Sequence, residues 1–186
     1  MLISTSRKPS PKTRSFCKNL SHALDFTYVN RGKMSMRNLF LKSSHMNYDL
    51  TLLVYEIKGN PSKITFFSND GDEKLAILVS VSTTRDRLNI NTNEIKVKCD
   101  LPELAIFGEL LGYENSIFVK ENYIHIQKVY QNNDDKNKKN NDYKNKNYEN
   151  KRNNKPEMDK IAIIDFYNKE GNKTNLKISV KKILIN

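Results

Sequence analysis

Apolar and polar positions in the first 50 residues follow the pattern of a β-α-β-α unit. The run LIST at 2–5 predicts a short strand, and Ser10 followed by Pro11 predicts a helix start, with serine as the N-cap. The next apolar residues have helical spacing, so they belong to one helix face: Phe16, Leu20, Ala23 and Leu24. FTYVN at 26–30 predicts a second strand. Ser35 is expected to cap a second helix whose inward residues are Met36, Leu39 and Phe40.

The rest of the chain is richer in strands. Apolar strands are predicted at 49–57 and 63–67, joined by the turn KGNPS, and at 75–82. A third helix is predicted from Asp100, where Glu103 would complete a capping box, to Gly112. Four later runs read as strands: 116–120, 122–130, 160–167 and 175–185. Strands interleaved with three helices predict an α/β fold, with α+β as the alternative.

One segment, residues 131–157, breaks this pattern. Ten of its 27 residues are Asn, and it contains no aliphatic residue. Such a composition buries too little apolar surface to offset the entropy of ordering, so we expect a disordered insertion in a hairpin loop. Its lysines offer a second reading, weak contact with RNA.

Composition narrows the class of protein. The 186 residues, 37% of them hydrophobic, are enough for a single domain with its own core. No apolar run approaches the roughly 18–20 residues that span a bilayer, and no secretory signal is visible, so we expect a cytoplasmic protein without membrane contact. A monomer is also expected. Cys17 and Cys99 lack CxxC spacing, which predicts reduced thiols and neither a disulfide scaffold nor a zinc site.

The formal charge of +11 is unevenly distributed. Residues 1–44 contain nine Lys or Arg and one acid, Asp25, whereas the chain outside 1–44 and 131–157 is balanced. A basic first quarter on a neutral domain is expected of a face that binds a polyanion. Charge that serves only solubility is usually mixed in sign along the chain.

No catalytic constellation is visible in the sequence. It contains no phosphate-binding GxxxxGK[ST], no GxGxxG and no HExxH motif. The five-residue offset between Cys17 and His22 turns their side chains apart on a helix. The three histidines His22, His45 and His125 are far apart in sequence, and we expect His22 and His125 to be packed or surface side chains. Asp70, Asp72 and Glu73 flank Gly71 as turn residues. We therefore expect neither an enzyme nor a cofactor or metal ion.

The sequence does predict a binding surface. In a β-α-β-α unit with parallel strands, the strand ends and the helix starts share one rim of the sheet. Two basic clusters fall there, and helix N-termini also favour anions. Arginine forms bidentate hydrogen bonds with phosphates, lysine acts as a point charge and serine adds a neutral contact. The predicted RNA-binding residues are Arg7, Lys8, Ser10, Lys12, Arg14, Lys18, Arg31, Lys33 and Arg37. Tyr28 either stacks a base or, as is more common for a strand tyrosine, packs in the core.

These residues also carry a family resemblance. The segments LISTSRKPSPKTRSFCKNL, YVNRGKMSMRNL and VYEIKGNPSKITFF together resemble Brix-domain proteins, in particular the small single-domain archaeal ones. The resemblance is specific over 1–82 and looser over 100–130 and 158–186. It implies a single domain of two similar halves, about 1–82 and 83–186, each akin to the anticodon-binding domain of class IIa aminoacyl-tRNA synthetases. By eye, the sequence itself shows no internal repeat.

The resemblance further implies ribosome biogenesis without a catalytic centre. The favoured hypothesis is a factor that binds precursor ribosomal RNA through Thr5–Ser10 and Asn30–Lys33 and assists RNA processing and subunit assembly. The alternative is a protein-interaction module of the assembly machinery, whose basic face docks an acidic partner. An RNA-modifying enzyme would need a cofactor or acid–base pocket that the sequence does not indicate.

Overall fold

The computed structural model describes residues 1–130 and 160–184, so the 131–157 insertion lies outside the described residues. Within them, ten strands form one sheet that three α-helices flank. The predicted α/β class is confirmed. No described helix is both long and apolar enough to cross a membrane.

The first seven elements follow the predicted pattern closely. The first helix begins at Pro11 with Ser10 as its N-cap, and Ser35 caps the second. The elements are β1 Leu2–Thr5, α1 Pro11–Leu24, β2 Thr27–Tyr28, α2 Met36–His45, β3 Leu50–Ile57, β4 Asn60–Ser68 and β5 Glu73–Ser82.

The later elements depart further from the prediction. They are β6 Lys96–Cys99, a 3-10 turn Pro102–Leu104, α3 Ala105–Leu111, β7 Glu114–Asn115, β8 Tyr123–Lys128, β9 Ala162–Tyr167 and β10 Lys173–Leu184. Strand β6 was not predicted, because a single buried Val97 between lysines gives too short a pattern. The strand predicted at 116–120 is wrong: only residues 114–115 pair, and Phe118 is 92% exposed.

Two predicted local features are also wrong. The capping box does not form, because the 3-10 turn begins at Pro102 after Leu101 without a side-chain cap. Asp100 is instead hydrogen-bonded to His125, with Asp100 Oδ2 lying 2.8 Å from His125 Nε2. The turn KGNPS is shorter than predicted, because β4 already begins at Asn60 and only Lys58 and Gly59 have left-handed backbone angles.

The strand order repeats along the sheet, which reads β2-β1-β3-β4-β5-β10-β9-β8-β6-β7. In the first half β1 runs parallel to β2 and β3, and an antiparallel meander follows. In the second half β6 runs parallel to β7 and β8, and β9 and β10 continue antiparallel. The halves meet where β5 and β10 pair. The predicted border between two halves after residue 82 stays a prediction.

The helices lie on both faces of the sheet. Helices α1 and α3 cover one face, where Phe16 and Leu20 of α1 and Phe107 of α3 belong to the main core. Phe66 meets Phe107 edge to face at 5.5 Å between ring centroids. Each such fully buried side chain contributes about 1.5–3 kcal/mol. Helix α2 covers the other face of the first half, in a smaller cluster: Leu39 with Leu2 and Leu53.

Candidate nucleic-acid interface

The connection from β1 to α1 is fixed by local hydrogen bonds. Lys8 has a left-handed backbone, φ 53°, which turns the chain toward the helix. The Ser10 hydroxyl accepts from the Thr13 N–H at 3.1 Å and lies 2.8 Å from the Gly59 carbonyl, to which it donates. The segment that contains Arg7 and Lys8 is therefore held between the end of β1 and the capped start of α1.

The N-terminus of α1 is already occupied by an anion of the chain itself. Oε2 of Glu56, near the end of β3, accepts from the Ser10 N–H at 2.9 Å and from the Thr13 hydroxyl at 2.5 Å. The hydrogen bond from Thr13 is the largest of several contacts that lower the pKa of Glu56. The anion at this helix end is thus Glu56 of the chain itself, and Ser10 acts as a cap with its hydroxyl used in internal hydrogen bonds. A contact of Ser10 with RNA stays a prediction.

The cations of the first cluster remain on the surface. Arg7, Lys8 and Lys18 are exposed. Lys12 is exposed and donates from Nζ to Asn60 Oδ1 at 2.7 Å. Arg14 is also exposed, and its Nη1 donates to the Pro9 carbonyl at 3.0 Å. These contacts leave the positive groups accessible while restricting their positions.

The second cluster is divided between surface and interior. Arg31 is 7% exposed, and its Nε donates to the Met34 carbonyl at 3.1 Å. Burial, and next the charge of Arg7, lower the pKa of Arg31. The prediction of Arg31 as a surface cation thus needs correction, because it braces the loop before α2. Lys33 and Arg37 are exposed, as expected.

The two clusters do share one edge of the sheet. Strand β2 runs parallel to β1, so the segments after Thr5 and after Tyr28 leave the sheet at the same edge. Arg7 is close enough to Arg31 for their charges to interact. We call the exposed cations at this edge and along helix α1, which begins there, the basic rim: Arg7, Lys8, Lys12, Arg14, Lys18, Lys33 and Arg37.

One further cation lies beside the basic rim that the sequence reasoning did not single out. Lys58 is exposed and precedes Gly59, whose carbonyl accepts from Ser10. The parallel pairing of β3 with β1 brings this turn to the same edge. Its only signal in the sequence is a lysine in a predicted turn after a parallel strand.

The aromatic and nucleophilic candidates do not belong to the basic rim. Tyr28 packs against the main core, as expected of a strand tyrosine, and burial raises the pKa of its hydroxyl. Cys17 is buried in the same core, and burial strongly raises the pKa of its thiol. Cys99 is partly exposed. Among the described residues, no group of three His, Cys, Asp or Glu is placed to hold a metal ion.

The buried His125 forms a small polar network. Its Nε2 lies 2.8 Å from Asp100 Oδ2, and its Nδ1 lies 3.0 Å from Gln127 Nε2. Both ring nitrogens are therefore used within the fold. His125 is thus a packed histidine, one of the two alternatives that the sequence leaves open.

Comparison with known proteins finds curated relatives of similar sequence. A probable Brix domain-containing ribosomal biogenesis protein of Methanothermobacter thermautotrophicus is 35% identical over 114 residues, 61% of this chain and 71% of the relative. Its counterpart in Methanosarcina mazei is 34% identical over 118 residues, 63% of this chain and 70% of the relative. No family model matches the chain.

Solved structures show the same fold. The crystal structure of Mil, an archaeal Imp4-like protein, matches with a TM-score of 0.72 at 23% identity and covers 100% of this chain and 99% of that one. A probable ribosomal biogenesis protein from Aeropyrum pernix K1 matches with a TM-score of 0.63 at 18% identity, over 97% and 94% of the two chains.

Proposed function

This chain belongs to the Brix-domain family of ribosomal biogenesis proteins, and on that premise we propose that it binds precursor ribosomal RNA through the basic rim. Binding would assist RNA processing and subunit assembly without catalysis. The bound RNA would be a helix or junction held by phosphate contacts and by its shape.

The observation that carries this proposal is the concentration of exposed cations at one edge of the sheet and along the helix that begins there. Seven exposed Lys or Arg side chains form the basic rim, and the first 44 residues contain a single acid, Asp25. The carboxylate of Glu56, at the start of α1, is engaged with Ser10 and Thr13. A surface of this charge attracts a polyanion over a distance of about a Debye length.

The rim is suited to phosphates because its backbone is held in place. Caps at Ser10 and Ser35 fix both helix starts, and the Arg31 side chain holds the loop between β2 and α2. Cations on a rigid frame lose less conformational entropy on binding than cations on a free tail. Rigid spacing also lets the surface select the shape of the RNA backbone.

The proposal is tested by removing rim charge without changing the fold. We expect the double variant Arg7→Ala/Lys8→Ala to bind a precursor rRNA transcript more weakly in a filter-binding assay. The slope of log K plotted against the logarithm of the salt concentration should fall in magnitude by about 1–2. The control Lys42→Ala/Lys74→Ala removes the same charge from two other exposed sites, at the end of α2 and in β5. Equal affinities of the two double variants would refute the proposal.

A second function draws on the same surface. The basic rim would equally attract an acidic protein of the assembly machinery, since charge complementarity alone does not distinguish the two ligands. Capture of the tagged chain from extract with and without RNase separates them. Loss of ribosomal precursors after RNase treatment supports direct RNA binding, and their retention supports the protein partner.

A further inference from the structure

The two halves of the sheet differ in what covers the face opposite α1 and α3. In the first half α2 packs there. In the second half, the connection between β7 and β8 corresponds to the one between β2 and β3 that contains α2, but it has no helical residues. Among residues 1–130 and 160–184, no helix takes the place of α2 over β6, β8 and β9. We call this surface the bare face, and it carries Lys96, Lys98, Tyr123, Tyr167, Lys173 and Lys177.

Strand alternation assigns these side chains to the bare face. Val97 of β6, Ile124 of β8 and Phe166 of β9 belong to the main core. Successive side chains of a strand point to opposite faces, so the neighbours of these core residues point away from α1 and α3. The second half therefore has an apolar inner face and a polar, aromatic outer face.

The register of the strands arranges one row of four side chains across the bare face. Lys96 of β6 pairs with Tyr123 of β8, and Lys173 of β10 pairs with Tyr167 of β9. The two tyrosine rings stack with centroids 4.3 Å apart and planes 5° apart. The row is thus a pair of stacked phenol rings with a lysine on either side.

The next row adds more cations and an acceptor. Lys98 pairs with His125, and Lys177 pairs with Asp165. Asp165 is fully buried, and its Oδ2 lies 2.6 Å from Lys173 Nζ. Its other carboxylate oxygen, Oδ1, is buried with no hydrogen-bond partner among the described residues. A buried acceptor without a donor is unusual, because it loses water without compensation.

We propose that the bare face binds a segment of single-stranded RNA. Bases would stack on the Tyr123–Tyr167 pair. The phosphates would be contacted by Lys96, Lys98 and Lys177. Aromatic side chains on a basic surface are the usual means of holding single strands, since every base has a face that stacks. Asp165 Oδ1 is fully buried, so it is not counted among the contacts with the RNA. The inference rests on the proposed function only in taking RNA as the ligand, and it adds a second surface.

The chemistry of the bare face favours RNA over an acidic protein. An acidic segment would use the lysines, but it has no need of a stacked ring pair beside them. A duplex would also meet the lysines, but its bases are already stacked and unavailable to tyrosines. The tyrosine pair is therefore the part of the site that selects single strands.

The test compares variants that keep or remove the aromatic rings. Tyr123→Leu/Tyr167→Leu removes the rings, and the matched control Tyr123→Phe/Tyr167→Phe keeps them. With the full chain, the anisotropy of a labelled single strand of about ten nucleotides should show about tenfold weaker binding for the Leu pair and little change for the Phe pair. Neither pair should alter binding of the corresponding duplex. Single-strand affinity of the Leu pair equal to that of the unsubstituted chain overturns the inference, as does equal loss in both pairs.

A second measurement does not depend on the variants folding. The unsubstituted chain is photocrosslinked to a 4-thiouridine single strand, and the crosslinked peptides are mapped. Crosslinks at Tyr123 or Tyr167 support the inference, whereas crosslinks confined to residues 7–37 overturn it and leave the proposed function standing. If Arg7→Ala/Lys8→Ala has no effect on precursor rRNA while the tyrosine crosslinks remain, the proposed function fails and the bare face stands.

Discussion

The carboxylate of Glu56 at the start of α1 allows a sharp test of how the basic rim is built. Glu56→Gln keeps the size of the side chain and an acceptor oxygen but removes the charge opposite the helix N-terminus. A hydrogen bond to a charged group contributes about 1.5–3 kcal/mol, and a neutral one roughly half of that. Because Glu56 is partly exposed, solvent screening reduces the difference. We expect a loss of about 1 kcal/mol, or about 2–4 °C in Tm.

The pH dependence of this loss follows from the direction of the pKa shift. The pKa of Glu56 lies below its usual value of 4.5 in the folded chain, chiefly because of Thr13. Its contribution is therefore fully present above that usual value and disappears as the pH falls through the folded-state pKa. The stability difference between the unsubstituted chain and Glu56→Gln should be present at about pH 7 and should vanish in acid.

Urea unfolding followed by circular dichroism at a series of pH values measures this difference. Thr13→Val is the companion variant, since it removes one of the two donors and leaves the carboxylate in place. Glu56→Gln should also bind RNA slightly more tightly, by about twofold, because one negative charge leaves the rim. A stability difference that is independent of pH, or weaker RNA binding by Glu56→Gln, would refute the reasoning.

Two further predictions concern single positions in loops. Arg31→Ala should lower the free energy of unfolding by about 2 kcal/mol, because it leaves the Met34 carbonyl without its donor and opens a gap. The control Lys33→Ala, at an exposed site, should change the free energy of unfolding by less than about 0.5 kcal/mol in the same urea titration. Gly171→Ala should be more destabilising than Gly112→Ala in thermal unfolding. Both glycines have positive φ, so alanine is strained at either position. Of the two, only Gly171 would bring the new Cβ against a backbone atom, the Lys120 oxygen at 2.7 Å. Equal Tm losses at the two glycines would show that backbone strain, and no clash, sets the effect.

Local signals predicted the first half of the fold well. Ser10, Pro11 and the four-residue spacing of Phe16 and Leu20 are all contained in α1 and its cap, so they define that helix without knowledge of the rest of the chain. The same holds for Ser35 and α2. Helix caps and apolar periodicity depend on neighbours within a few residues, which is why the sequence is sufficient for them.

Features that depend on distant partners were missed. Glu56 lies 46 residues from Ser10 and reaches it only through the parallel pairing of β1 with β3. The capping box at Asp100 and Glu103 failed because Asp100 bonds to His125, 25 residues away. Strand β6 has few apolar residues of its own and is stabilised by β7 and β8 on either side.

For the candidate surfaces, the sequence by itself determined the excess of cations in the first quarter of the chain and the helix starts that hold them. Only the tertiary structure decided which cations stay exposed, since Arg31 is buried by packing that no local pattern encodes. It also decided that β6, β8, β9 and β10 lie side by side, so that tyrosines 44 positions apart in the numbering stack at 4.3 Å. The physical reason is that charge and helix propensity are properties of short segments, whereas burial and strand register arise when segments distant in sequence pack together.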